Sequence, residues 1–179
     1  MEILKVVIFG FAGVIGLILI IPLFTRKEIN VQREVIINLA KVKVFEFVNL
    51  LKNQDQFSVW ALKDPDMKKE FRGVDGTVGF VSGWESEMKD VGKGEQEIKE
   101  IIVGQRIDYE LRFIKPFAAT NFAFISFEIV SENQTLVKWG FSGKMKYPMN
   151  LFLLIRDMDG MLGKDLQDGL NNLKRVLEK

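Results

Sequence analysis

Gln105–Lys115, QRIDYELRFIK, is the stretch that decides the fold. Ile107, Tyr109, Leu111 and Phe113 alternate with Arg106, Asp108, Glu110 and Arg112. A period of two puts four apolar side chains on one face of a strand and four charges on the other, as in an antiparallel sheet with one wet side. Turn signals bound similar runs on both sides of it, at Gly73–Gly76, Val103-Gly104 and Glu132-Asn133. Strands are therefore expected at about 67–72, 77–85, 92–102, 105–115, 119–131 and 134–145. Glu28–Asn38 (EINVQREVIIN) supplies another, with Ile29, Val31, Val35 and Ile37 on one side and Arg33 interrupting them.

Helical spacing brackets these strands. Asn38 is a plausible N-cap for a helix over Leu39–Leu51, where Val42, Phe45, Val48 and Leu51 recur at the right interval. A second short helix is expected at Gln54–Trp60, ending before Asp64-Pro65, because a residue preceding proline is pushed out of helical geometry. Pro148 opens a long terminal helix with a stripe of Leu151, Ile155, Met158, Leu162, Leu166, Leu170, Leu173 and Leu177. Gly160, Gly163 and Gly169 lie inside it, each costing about 1 kcal/mol relative to alanine. Close packing against the sheet, or flexibility near a cavity mouth, would account for them.

Further toward the start, Val6–Phe24 (VVIFGFAGVIGLILIIPLF) carries no charge. At about 1.5 Å per residue this run reaches roughly 28 Å, close to the ~30 Å hydrocarbon thickness of a bilayer. Residues 1–27 read as an N-terminal membrane anchor and 28–179 as one domain. A cleavable signal peptide would end in small residues, but Ile20–Thr25 is bulky. A buried core helix would show a polar face, and this run has none. Arg26, Lys27 and Arg33 outnumber Lys5 across the span, which favours a single-pass protein of the cell membrane with its domain in the cytoplasm. The absence of cysteine fits either compartment.

Composition narrows the chemistry. The formal net charge is +1, with acidic and basic residues interleaved, so nucleic acid is not an expected partner. Without histidine or cysteine, Ser-His-Asp and Cys-His nucleophile systems and His/Cys metal sites are excluded. Gly73-Val74-Asp75-Gly76 and Gly92-Lys93-Gly94 lack the following helix that would hold a phosphate. Asp157-Met158-Asp159 lies in a helical pattern, not a calcium loop. No metal or cofactor is expected, and an enzyme here would work with Asp, Glu, Lys or Tyr alone.

The element order is one strand, two short helices, six strands and a long helix. It predicts an α+β domain in which a curved antiparallel sheet of about seven strands wraps the terminal helix. With this order, the chain resembles the START-like (Bet v 1-like) superfamily, the helix-grip fold. Within it, the likeness is to bacterial SRPBCC proteins of the polyketide cyclase/dehydrase and lipid-transport type. The residues carrying it are Arg33–Asn38 entering Val42–Phe45, Phe57–Trp60 before Asp64-Pro65, Gly79 to Trp84-Glu85, and Gly92–Gly94. They continue with Arg106–Tyr109, Phe113–Pro116, Trp139, Tyr147–Asn150, Met158-Asp159 and Gly163–Asp165. The resemblance implies a hydrophobic cavity between sheet and terminal helix for lipids, sterols, polyketides or other apolar molecules. It transfers no catalytic set.

Strand parity and helix spacing give the candidate ligand-binding residues: Phe57, Trp60, Phe80, Ser82, Trp84, Gln96, Tyr109, Leu111, Phe113, Phe127, Trp139, Phe141, Met158, Met161 and Leu162. Most large aromatics at such spacings are plain core. Trp60, Trp84 and Trp139 need indole N–H partners when buried and suit a pocket rim. Glu95–Glu100 reads as a solvated sheet face with opposite charges on neighbouring strands. Three functions follow: an anchored binding module for a hydrophobic small molecule or lipid, a cyclase- or hydrolase-type enzyme using Tyr109 with a buried carboxylate, or a ligand-free interaction module with a closed core.

Overall fold

The computed structural model describes residues 2–88 and 90–179. Helix α1 (Glu2–Phe24) precedes strand β1 (Glu28–Ile37), helix α2 (Lys41–Asn49), a 3-10 turn (Leu51–Gln56) and helix α3 (Val59–Lys63). Strands β2 (Lys68–Arg72), β3 (Val81–Glu85), β4 (Lys93–Ile102), β5 (Arg106–Lys115), β6 (Ala119–Ser131) and β7 (Gln134–Lys144) follow. The chain closes with a 3-10 turn (Met149–Leu151), helix α4 (Phe152–Ile155) and helix α5 (Met158–Leu177). The seven strands form one antiparallel sheet in the order β1-β7-β6-β5-β4-β3-β2, and α5 lies along it on the β1 side. This is the α+β helix-grip architecture expected from the element order.

Four local expectations need correction. Residues 77–80 do not extend β3, because Gly76 (φ 76°) and Gly79 (φ 88°) take left-handed conformations that turn the chain. Asn38 does not cap α2, since Ala40 holds that position with no side-chain hydrogen bond. Asn38 instead donates its N–H to Glu178 (2.5 Å) and accepts at Oδ1 from Gln134, tying the end of β1 to the end of α5. The helix expected at 54–60 is divided between the 3-10 turn and α3, and Asp75 caps that turn by accepting from the N–H groups of Leu51 and Lys52.

The long terminal helix is also broken. Arg156 is extended and the Asp157 carboxylate accepts from the Gly160 N–H (2.8 Å), so α5 starts afresh there with its own N-cap. Leu151 and Ile155 therefore fall outside the stripe, and Ile155 is 72% exposed. Two α5 glycines answer to packing. A Cβ on Gly163 would run into the Arg33 guanidinium, and one on Gly169 into the Trp139 ring.

Strand register defines two ends of the sheet. The proximal end, next to α1, gathers Glu28, Lys144, Ala119, Lys115, Lys93, Glu85 and Lys68 through consecutive pairings. The distal end gathers Ile37, Thr135, Ser131, Ile102, Val81 and Arg72. Among the described residues, α1 is the one helix long and apolar enough to cross a membrane, and nearly all of it is exposed. Its C-terminal end and Thr25 just beyond it are joined to the domain by three side-chain hydrogen bonds. Asn150, fully buried, donates Nδ2 to the carbonyls of Pro22 (2.7 Å) and Thr25 (3.3 Å), and the Tyr147 hydroxyl donates to the Leu19 carbonyl (3.0 Å). The carbonyls at a helix C-terminus have no partner within the helix, so Asn150 caps α1 from the domain side.

Candidate functional site

The concave face divides at mid-strand. Distally, Ile107 and Tyr109 on β5, Ile125 and Phe127 on β6, Val137 on β7 and Ile98 on β4 are sealed under Val44, Val48, Phe45, Leu170 and Leu173. Phe45 meets Phe127 edge-on at 5.5 Å. Proximally, the same strands border a cavity of about 400 Å³. Its wall takes Leu111 and Phe113 from β5, Asn121 and Ala123 from β6, Trp139 and Phe141 from β7, and Ser82, Gly83 and Trp84 from β3. Met145, Met158, Leu162 and Leu166 close it from the terminal segment.

Of the fifteen candidate residues, Trp60, Ser82, Trp84, Gln96, Leu111, Phe113, Trp139, Phe141, Met158 and Leu162 border this cavity. Phe57, Phe80, Tyr109 and Phe127 do not; each is buried in the packed core. Parity gives the face of a strand and is silent about depth along it. Met161 is 53% exposed, because on α5 it stands beside the stripe that Met158 and Leu162 occupy. All three tryptophans border the cavity, and the Trp84 indole N–H donates to the Val91 carbonyl (3.2 Å) at its edge.

Sequence reasoning missed other wall residues. Asn121 and Ala123 share the parity of Ile125 and Phe127 and were readable as inward-facing. Gln54, Asp55, Ser58, Met67 and Asp90 come from turns and loops, where no periodicity marks a side chain as facing inward. Two carboxylates on the wall are held in ion pairs. Asp55 meets the Lys69 Nζ at 2.5 Å, and Asp90 meets the Lys63 Nζ at 3.4 Å.

Below the cavity, the Tyr109 hydroxyl and Gln54 Nε2 are buried without a well-formed hydrogen bond. Burial pushes the Tyr109 phenol well above its usual pKa, and the neighbouring Gln54 side chain opposes this only in part. The phenol stays protonated and does not border the cavity. Among the described residues its hydroxyl makes no hydrogen bond to a carboxylate, so the expected pairing of Tyr109 with a buried acid is not formed.

The charges opposite the cavity wall form a bracing network. Arg112 on β5 donates Nε to Glu95 (2.7 Å) and Nη1 to Glu97 (2.7 Å) on β4, and also meets Glu110. Arg72 reaches Glu95 from β2. Hydrogen bonds from Arg72 and Arg112 hold the Glu95 carboxyl below its ordinary 4.5, and those from Lys99 and Arg112 do the same for Glu97. Opposite charges across neighbouring strands occupy the wet face, as expected of Glu95–Glu100. Among the described residues no cluster of acidic side chains is arranged to hold a metal ion.

No family model matches this sequence, and no curated protein matches it. Solved structures do. The crystal structure of Ara h 8.0201 superposes with a TM-score of 0.59 at 14% identity, covering 84% of this chain and 97% of that one. The Aha1 dimer from Colwellia psychrerythraea gives 0.56 at 14% identity, covering 84% and 96%. DynU16, a protein from the dynemicin biosynthetic locus, gives 0.57 at 14% identity, covering 84% of this chain and 47% of its own length. The fold is that of the Bet v 1-like structures.

Proposed function

We propose that the chain is a membrane-anchored binding module that takes an apolar small molecule or lipid into the proximal cavity. The observation that carries this reading is the cavity itself. Its volume of about 400 Å³ falls within the ~300–1,000 Å³ range of small-molecule sites, and an apolar, aromatic wall is dotted with a few polar groups such as Ser82, Gln96 and Asn121. Methionines at 145 and 158 adapt to ligands of different shape. The long apolar α1 supports a source of ligand in the adjoining bilayer.

The full chain, purified in detergent and extracted with organic solvent, is expected to release a bound lipid or other apolar compound detectable by mass spectrometry. It is also expected to bind a fluorescent fatty acid. Ala123→Leu, which extends a side chain into the cavity, should weaken that binding about tenfold, near 1.4 kcal/mol, without loss of folding. An empty extract together with no binding of the probe overturns the proposal.

A second reading has one observation in its favour. Asp55 and Lys69 meet on the cavity wall, and a paired acid and base there suit proton transfer in a cyclase-type reaction. Asp55→Asn separates the two readings: it leaves a carrier binding its ligand and removes turnover from an enzyme.

A further inference from the structure

The proximal end also carries an unusual surface. Ile114 (50% exposed) and Phe117 (74%) stand on the β5–β6 hairpin, while Met149 (44%), Phe152 (46%), Leu154 (60%) and Ile155 (72%) stand on the segment leading into α5. The register places the hairpin at the end of the sheet from which α1 departs, and Asn150 within the 149–155 segment and Tyr147 just before it bond to the carbonyls of Pro22 and Leu19 near the end of α1. Large apolar side chains left bare on a folded domain mark an interaction surface. Charged residues of both signs fringe it. Arg26, Lys27, Lys115, Lys146 and Arg156 are exposed at this end, beside Glu28, Asp157 and Asp159. A charged rim around an apolar tip suits lipid headgroups above acyl chains.

We propose that this collar, Ile114 and Phe117 with Met149–Ile155, sits in the headgroup–acyl boundary of the bilayer that α1 crosses, so that the cavity opens against the membrane. The occupant is the lipid surface, because α1 is continuous with β1 and its end is held by hydrogen bonds from the collar segment itself. A loose tether would let the domain turn any face to the bilayer; a capped and bonded junction presents this one. Insertion by about 5–10 Å is typical of such interfacial elements. Met145 and Met158, at either end of the collar segment, and Phe113, beside the hairpin, border the cavity, so lipid entering there needs no passage through water. The inference rests on the anchored-module reading for its route and on α1 for its geometry.

The natural chain has no cysteine, which allows clean single-site labelling. Phe117→Cys and Ile155→Cys in the collar, and Val103→Cys and Ile129→Cys at the exposed distal end, are labelled with an environment-sensitive fluorophore. The full-length variants are reconstituted in vesicles of dioleoylphosphatidylcholine and dioleoylphosphatidylglycerol carrying doxyl-labelled lipid. Labels at 117 and 155 are expected to shift to the blue and lose most of their emission to the doxyl groups, with those at 103 and 129 unchanged. Collar labels as wet as the distal ones overturn the proposal. A blue shift without doxyl quenching also overturns it, since another protein then covers the collar. Extraction of the same variants separates the two proposals: bound ligand with a wet collar removes the docking surface alone, and an embedded collar with an empty cavity removes the carrier reading alone.

Discussion

Strand β5 runs through two regions that share a sheet and a helix, yet one is solid and the other hollow. Ile107 and Tyr109 are sealed, while Leu111 and Phe113, two and four positions beyond Tyr109, border the cavity. The same transition occurs on β6 between Ile125 and Asn121, and on β7 between Val137 and Phe141. Side-chain size does not separate the halves, since Phe113, Phe141 and Trp84 are as bulky as anything in the core. The cover separates them. Distally, α2 and the C-terminal half of α5 lie over the sheet, with Phe45, Leu170 and Leu173 pressed into it. Proximally, α5 begins only at Met158, and Asn150 and Tyr147 bond the chain before it to α1. The hollow lies where the cover is reduced to the first turns of α5 and the segment leading into it.

The largest expected effect follows from that contrast. Phe127→Ala, in the sealed half, removes a ring packed edge-on against Phe45 and should cost about 3–5 kcal/mol. Phe113→Ala removes a ring of the same size from a wall that already faces empty space, so the cost should be less than half as large. Urea unfolding of the two variants measures both. Equal losses would mean that the proximal half is packed as tightly as the distal one, and the contrast would fail.

Much of this plan was legible in the sequence, for reasons that also set its limits. A period of two is a property of the backbone, so the strands through Gln105–Lys115 and its neighbours were found within a residue or two at most ends. The face of each inward residue was legible too, as with Ser82, Gln96 and Leu111. Depth was not: Tyr109 and Leu111 have the same parity, and only the position of α2 and α5 above them decides which is buried and which borders space. The break at Arg156-Asp157 hid behind a continuous apolar spacing, although Asp157 three residues before Gly160 is an N-cap arrangement. Asp55 and Asp90 reach the wall from a 3-10 turn and a loop, over a distance that no local pattern encodes, whereas Lys69 stands on β2 opposite Trp84.

The joint between the two halves gives an intermediate effect. Arg33 projects from β1 beneath the first turns of α5, donating to the Asp159 carboxylate (2.9 Å) and to its backbone carbonyl (3.2 Å), in the space that Gly163 leaves. On an unobstructed helix, Gly→Ala gains about 1 kcal/mol. Gly163→Ala should instead lose about 1–3 kcal/mol, because the guanidinium has to move. Adding Arg33→Met, whose flexible chain yields, should return much of that loss, a non-additivity that a double-mutant cycle reads directly. Strict additivity would show that Arg33 does not pin the start of the cover.

The smallest effect concerns how the hollow wall holds its shape without an inner filling. Gln96 and Leu111 face the cavity, and the residues beside them on the opposite face, Glu95, Glu97 and Arg112, are linked across β4 and β5. Because Glu95 and Glu97 titrate below 4.5 in the folded chain, their contribution is full above that pH and is lost as the pH falls through the lowered folded values. Stability should therefore decline on acidification from about 4.5 downward, by no more than ~1 kcal/mol for each partly exposed pair. Arg112→Met should flatten that decline, while a charge removed from the distal rim, Glu132→Gln, should leave it unchanged. A slope indifferent to Arg112 would place the acid sensitivity elsewhere and deprive the cavity wall of its external brace.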